Sequence, residues 1–122
     1  MTVTHKIADL TGWALDLAVA IADEHRMPYV RADDCGKLHA MRDDGVGDHG
    51  RNPDVPFRPS TDWFDGGPII ERERVTLDTR AGGGWFATAA QKTVVAHGPT
   101  PLVAAMRAFL YDKRGETVEL PA

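Results

Sequence analysis

The sequence has one cysteine, no long apolar run and no excess of basic residues, and each absence excludes a class of protein. Cys35 has no second cysteine to pair with, which excludes an intrachain disulfide framework and favours a reducing compartment. The longest apolar run, residues 17–22, is far shorter than the roughly 20 residues that a membrane-spanning helix needs. We therefore expect a soluble cytoplasmic protein that does not bind a membrane.

Charge argues against nucleic acid as a partner. The chain has 14 lysines and arginines against 18 aspartates and glutamates, a formal net charge of −4. Non-specific binding to nucleic acid needs a basic surface, so this alternative, through Arg72, Arg74 and Arg107, ranks last.

Length and residue pattern predict one small domain of mixed structure. The 122 residues, 43% of them hydrophobic, suit a single domain over 1–122 with an irregular polar loop at about 32–58. A helix is predicted from Asp9 to about residue 24, with Asp16 and Asp23 on its solvent side. Thr100 and Gly115 bound a second helix, and a glycine-rich turn over 79–84 joins the strands of a hairpin. The prediction is an α+β fold, a small, mainly antiparallel sheet with two helices packed on one face.

The stretch from Arg58 to Glu73 is the richest in signals. Ser60 is predicted to cap a short helical turn, and Gly66-Gly67 to end it, because glycine adopts left-handed backbone conformations easily. Pro68 lacks an N–H group and suits the first residue of a strand. We therefore predict a strand from Ile69 to Leu77.

This stretch also holds the candidate binding residues. On a strand, Glu71 and Glu73 would share one face with Cα atoms roughly 6.6 Å apart, a spacing open to acid–base chemistry or to the charge of an ordinary edge strand. Trp63 and Phe64 would form an aromatic floor for a ligand or partner, or else cover the core. The predicted ligand- or partner-binding set is Ser60, Asp62, Trp63, Phe64, Glu71, Arg72 and Glu73.

Other motifs do not withstand a structural test. Residues 45–50 match G-x-G-x-x-G, but the prolines that follow exclude the helix that a dinucleotide site requires. The acidic residues over 43–54 lack the glycine of a calcium loop, and Cys35, His39 and His49 lack the spacing of a closed zinc site. Ser60, Asp62 and His97 lack the context of a catalytic triad. We predict no catalytic residue, metal or cofactor.

Four segments carry a family resemblance: residues 10–20, 59–73, 98–107 and 118–121. With them the chain resembles the NinX-type family of small phage proteins, a domain of unknown function. The resemblance implies a phage or prophage origin and the cytoplasm of a bacterial host cell. It supplies no catalytic residues, and the loop over 33–57 departs most from the family pattern.

Two hypotheses about function follow. The first is a non-catalytic accessory module that binds a host or phage protein, with a homodimer as a further possibility. The alternative is a small enzyme or small-ligand-binding protein with a pocket formed by Ser60, Asp62, Trp63, Glu71 and Arg72.

Overall fold

A computed structural model describes residues 1–23, 28–42, 55–90 and 94–121, and it confirms the α+β class. The helices are α1 (Gly12–Ala22), α2 (Trp63–Glu73) and α3 (Pro101–Arg114), with a 3-10 turn at Ile7–Asp9 before α1. The strands are β1 (Thr2–Lys6), β2 (Tyr29–Ala32), β3 (Leu38–Arg42), β4 (Val55–Pro56), β5 (Thr76–Thr79), β6 (Trp85–Thr88), β7 (Ala96–Gly98) and β8 (Thr117–Pro121). The described part of the chain therefore has three helices and three small sheets, where the sequence predicted two helices on one sheet.

All strand pairs in the described residues are antiparallel. β1 pairs with β8, with Val3 opposite Leu120, so the two ends of the chain lie side by side. The second sheet has the order β2-β3-β4 and the third the order β5-β6-β7.

The core lies between α1 and α3. Its fully buried side chains come from both helices and from the segments around them, and they include Leu15, Leu17, Val19, Met106, Phe109 and Leu110, with Ile7, Phe57 and Ile69. Alanines make the contact between α3 and the third sheet: Ala87, Ala96, Ala104 and Ala108. The contact is so close that a Cβ atom on Gly98 would lie 2.5 Å from the Ala104 nitrogen.

Helix α3 begins and ends where the sequence predicts. The Thr100 side chain accepts a hydrogen bond from the Val103 N–H at 3.2 Å, and Pro101 occupies the first turn. Gly115 follows the last turn with φ +82°, a conformation that favours glycine. The predicted hairpin is also present, because β5 pairs with β6.

The predicted strand from Ile69 to Leu77 is wrong. Residues 63–73 form α2, with Pro68 inside the helix, and only the shorter β5 remains of the strand. Asp62, not Ser60, is the N-cap, since its carboxylate accepts the Phe64 N–H at 2.9 Å.

Close packing explains Gly66, which the sequence predicted to end a helical turn. A Cβ atom on Gly66 would overlap the carbonyl oxygen of Pro59 and would lie 2.7 Å from Leu102 Cδ2. Gly66 thus lets α2 approach the segment before it and α3, and its backbone stays helical. Tertiary packing here outweighs the low helix propensity of glycine and proline.

Helix α2 ends at a strained residue. Arg74 has φ 53° and ψ 47°, the left-handed conformation that costs a non-glycine residue free energy. We expect Arg74→Gly to raise the free energy of unfolding by about 0.5–1 kcal/mol in urea denaturation. Arg80→Gly, at another exposed arginine with no positive φ, is the matched control and should bring no gain. Equal effects of the two substitutions would contradict the explanation.

Candidate functional site

Helix α2 separates the predicted binding residues. Ser60 is buried, and its backbone N–H donates to Asp16 Oδ1 at 2.9 Å. Asp62, Trp63 and Phe64 are exposed at the start of the helix. Arg72 lies near its other end, where it forms an ion pair with Asp23. The structure therefore does not gather the residues of the predicted pocket into one cleft.

Trp63 and Phe64 form an exposed aromatic pair on the first turn of α2. Their exposed fractions are 54% and 62%, the highest of the aromatic residues among the exposed large hydrophobic side chains. The Arg42 guanidinium lies 4.7 Å from the centroid of the Phe64 ring, a cation–π contact that restricts the ring. Pro68, one turn further on, is exposed as well.

Asp65 fixes this turn from beneath. Its side chain is fully buried and lies 2.5 Å from Arg42 Nε through Oδ1. Its Oδ2 accepts the Arg58 backbone N–H at 2.9 Å. One carboxylate thus ties α2 to β3 and to the segment that enters the helix.

The last turn of α2 is tied to its neighbours by ion pairs. Arg72 contacts Asp23 at the end of α1 at 3.1 Å and Glu73 at 2.9 Å. Glu73 contacts Lys113 of α3 at 3.0 Å. Burial alone would raise the pKa of Glu73, but its hydrogen bonds to Arg72 and Lys113 outweigh it and lower that pKa. The hydrogen bond to Glu73 raises the pKa of Lys113.

The two glutamates are not an acid–base pair. Residues two apart on a helix point to nearly opposite sides, since each residue turns the helix by about 100°. Glu71 is exposed, whereas the Glu73 side chain is held by Arg72 and Lys113. The assignment of a shared strand face was wrong because the strand is a helix.

The structure contains a cleft that the sequence did not predict, and we name it the Trp13 cleft. Its volume is about 500 Å³, and it lies where the first turns of α1 meet β3, β4 and the segment before α2. The side chains that line it include those of Trp13, Asp16, Lys37, His39 and Arg58.

Trp13 is held in place at the wall of the cleft. Its indole Nε1–H donates to the Leu38 carbonyl oxygen at 2.6 Å. Lys37 Nζ lies 4.4 Å from the ring centroid, and the His39 ring meets Trp13 edge-on at 6.4 Å. His39 Nε2 is 2.9 Å from Asp33 Oδ2, and this hydrogen bond lowers the pKa of Asp33.

Asp16 is the buried acid of the cleft. The sequence placed it and Asp23 on the solvent side of α1, but only 7% and 5% of these residues are exposed. Burial raises the pKa of Asp16 to about 6, with a smaller contribution from the negative charge of Asp65. The backbone and side chain of Ser60, together with the charge of Arg58, oppose the shift. Asp16 lies three residues after Trp13, and only the folded chain brings Ser60 to it.

Because its pKa is raised, Asp16 destabilises the folded protein when it ionises, so its effect on stability depends on pH. Because the folded-state pKa lies above the ordinary 3.8, ionisation costs stability as the pH rises from about 4 to above 6. An asparagine side chain at this position would keep an acceptor for the Ser60 N–H without the charge. We expect the difference in free energy of unfolding between Asp16→Asn and the parent to grow in favour of the variant by about 1–2 kcal/mol from pH 4 to pH 7. Urea denaturation at each pH measures this difference. The exposed Asp62→Asn is the control, and a pH-independent difference for Asp16→Asn would contradict the prediction.

The other sequence motifs divide into two groups. The G-x-G-x-x-G segment, the acidic segment over 43–54 and His49 lie outside the described residues. His97 lies on β7 with its ring 4.8 Å from Phe86, so it has a packing partner of its own. No helix in the described ranges is long and apolar enough to cross a membrane.

Comparison with known proteins gives one result. No curated protein matches the chain. A family model described as Bacteriophage P22, NinX matches residues 6–113, a range that includes α1, α2, the second and third sheets and all of α3 except its last residue. The chain therefore belongs to the NinX family of phage proteins.

Proposed function

We propose that this phage-encoded accessory protein is a non-catalytic module that binds a host or phage protein through Trp63 and Phe64. The observation that carries the proposal is the exposure of two adjacent aromatic side chains on a turn that a buried carboxylate holds in place. More than half of each of these residues is exposed to solvent, so neither ring is buried in the core.

Aromatic side chains suit this role for a physical reason. Tryptophan and tyrosine are enriched among the residues that dominate binding energy, and aromatic rings remove a large apolar area from water with few rotatable bonds. The contacts of Asp65 with Arg42 and Arg58, and of Arg42 with Phe64, fix the turn before a partner arrives. Pre-ordering of this kind lowers the entropy lost on binding.

Family membership supports a phage-encoded accessory protein. The ion pairs of Arg72 and Glu73 support a structural role for the far end of α2, and leave its first turn as the part that can meet a partner. The partner is expected to present an apolar socket for the two rings.

Photo-crosslinking tests the proposal. With a photoreactive phenylalanine analogue in place of Trp63, we expect a discrete adduct with one protein in phage-infected cells, identified by mass spectrometry. Ala at both Trp63 and Phe64 should weaken capture of that protein at least about tenfold, since loss of a dominant contact costs about 2 kcal/mol or more.

Val3 provides the matched control because it is also an exposed apolar residue, on β1. The same analogue at Val3 should give no adduct above background. The Val3→Ala variant should capture the protein as well as the parent does. Equal adducts at positions 3 and 63 would contradict the proposal. An adduct only with a second copy of this chain would replace the host or phage partner with a homodimer.

A further inference from the structure

We propose that the Trp13 cleft binds a mononucleotide, with the base between Trp13 and Asp16 and the phosphate at Lys37 and Arg58. This site is separate from the aromatic pair of α2, and the proposal does not depend on protein binding. Its ligand class follows from the size, charge and donor requirements of the cleft.

The cleft has the dimensions and lining of a small-molecule site. Its volume of about 500 Å³ lies within the range of roughly 300–1,000 Å³ that is typical of ligand pockets. Apolar groups line part of it, through Met41, Pro56 and Phe57. The polar side chains of the lining are those of Asp16, Lys37, His39, Arg58 and Thr61, and polar groups of this kind orient a ligand in a pocket.

Two cationic side chains, Lys37 and Arg58, line the cleft beside the carboxylate of Asp16. The whole chain, in contrast, carries a formal charge of −4. The Arg58 guanidinium makes no hydrogen bond within the part of the chain that the structure describes, and Lys37 contacts the Trp13 ring. A phosphate is the anion that lysine and a fork-shaped guanidinium bind well together.

The first turn of α1 adds to this preference. Gly12 and Trp13 line the cleft, and the Thr11 side chain does not cap the helix. The backbone N–H groups at a helix start favour a negative charge. This contribution supports the basic side chains and would not define a site without them.

Asp16 sets the opposite requirement within the same cleft. A carboxylate repels phosphate and accepts N–H donors, so a ligand that satisfies the cleft carries an anion and N–H groups together. Asp16 Oδ1 already accepts the Ser60 N–H, and the residue is more than nine-tenths buried, which holds the carboxylate in one orientation. Among the common bases, guanine presents two adjacent N–H donors, and a carboxylate oxygen that already accepts one N–H, as Asp16 Oδ1 does, has a second lone pair for another.

Trp13 supplies the stacking surface. The ring is 39% exposed, and its hydrogen bond to Leu38 fixes its plane. Lys37 Nζ lies 4.4 Å from the ring centroid, and the ring lines the cleft. Stacking on an aromatic ring accepts any base, so Trp13 provides affinity and Asp16 provides selection.

Calorimetric titration of the full chain with guanosine 5′-monophosphate tests the proposal, with adenosine 5′-monophosphate and inorganic phosphate as comparison probes. We expect the guanine nucleotide to bind about tenfold or more tightly than either comparison probe, because a donor edge that fails to meet a buried acceptor leaves that acceptor unpaired. The Trp13 indole N–H signal should shift in NMR spectra during the titration.

Variants separate the two ends of the ligand. Arg58→Ala should weaken both nucleotides about tenfold or more, because each loses a charged phosphate contact. Asp16→Asn should remove the preference for guanine and should not weaken inorganic phosphate. Lys6→Ala removes an exposed lysine on β1 and is the control, with parent affinity expected.

Three results would overturn the proposal. They are the absence of binding of guanosine 5′-monophosphate at millimolar concentration, equal binding of all three probes, and an unchanged preference in Asp16→Asn. Circular dichroism of each variant keeps a loss of folding distinct from a loss of binding.

Discussion

Gly66→Ala is expected to lower the free energy of unfolding by about 3 kcal/mol, through overpacking at a backbone that cannot retreat. The added methyl group would overlap the Pro59 carbonyl oxygen and approach Leu102 Cδ2 to 2.7 Å. Leu102 is buried on α3, and Pro59 is buried in the segment that enters α2, so relief requires α2 to move as a whole. Urea denaturation followed by circular dichroism measures the loss.

Gly67→Ala is the matched control, since the two glycines are neighbours in the same helix. A Cβ atom on Gly67 would meet no heavy atom within 4 Å. The gain in helix propensity and the crowding before Pro68 oppose each other, so we expect a change within about 1 kcal/mol. A Gly66→Ala loss no larger than that of Gly67→Ala would show that the close approach is not what requires glycine there.

Asp65→Asn is expected to cost a similar amount, about 3 kcal/mol, because it leaves the buried Arg42 guanidinium without its counter-charge. The Asp65 side chain is fully buried and that of Arg42 is 13% exposed, so water cannot replace the lost partner. Asparagine keeps the shape and one acceptor oxygen, but its NH2 group cannot accept, so either Arg42 Nε or the Arg58 N–H also loses its acceptor. Thermal and urea denaturation together measure the effect.

Asp62→Asn tests whether loss of any carboxylate charge in this turn destabilises the protein. Asp62 is exposed and accepts the Phe64 N–H, and asparagine caps helices about as well as aspartate, so we expect less than about 0.5 kcal/mol. If the two substitutions destabilise the protein equally, the buried ion pair does not anchor the turn. If Asp65→Asn is also neutral, the rigidity assigned to the aromatic pair has no basis.

Asp65 links the two proposed surfaces. It holds Arg42, which contacts Phe64, and it accepts the backbone N–H of Arg58, which lines the Trp13 cleft. The Asp65→Asn variant, if it stays folded at low temperature, should therefore weaken protein capture and nucleotide binding together. Substitutions of Trp63 should affect only the first.

Helix α3 and the β5–β6 hairpin were predictable because their signals are local. A threonine cap, a proline in the first turn, an apolar stripe and a final glycine all act within one helix. Trp63 and Phe64 were predicted to form an aromatic floor for a ligand or partner, or else to cover the core. The structure places them, exposed, at the start of a helix, and their binding role stays a prediction. The family resemblance came from the same local segments and is confirmed.

Helix α2 was not predictable, because its local signals conflict with its structure. The sequence Gly66-Gly67-Pro68 is typical of a helix end. Only the close approach of Pro59 and Leu102 in the folded chain shows that Gly66 is required for packing. The burial of Asp16 depends on Ser60, 44 residues away, and the burial of Asp23 on Arg72.

Short-range chemistry along the chain was thus enough for the α+β class, for α3 and for the family. Long-range contacts decided the helical state of residues 63–73, the burial of three aspartates and the position of the Trp13 cleft. The physical reason is that caps and turns act over a few residues, whereas desolvation of a carboxylate and close backbone approach depend on which distant segments meet.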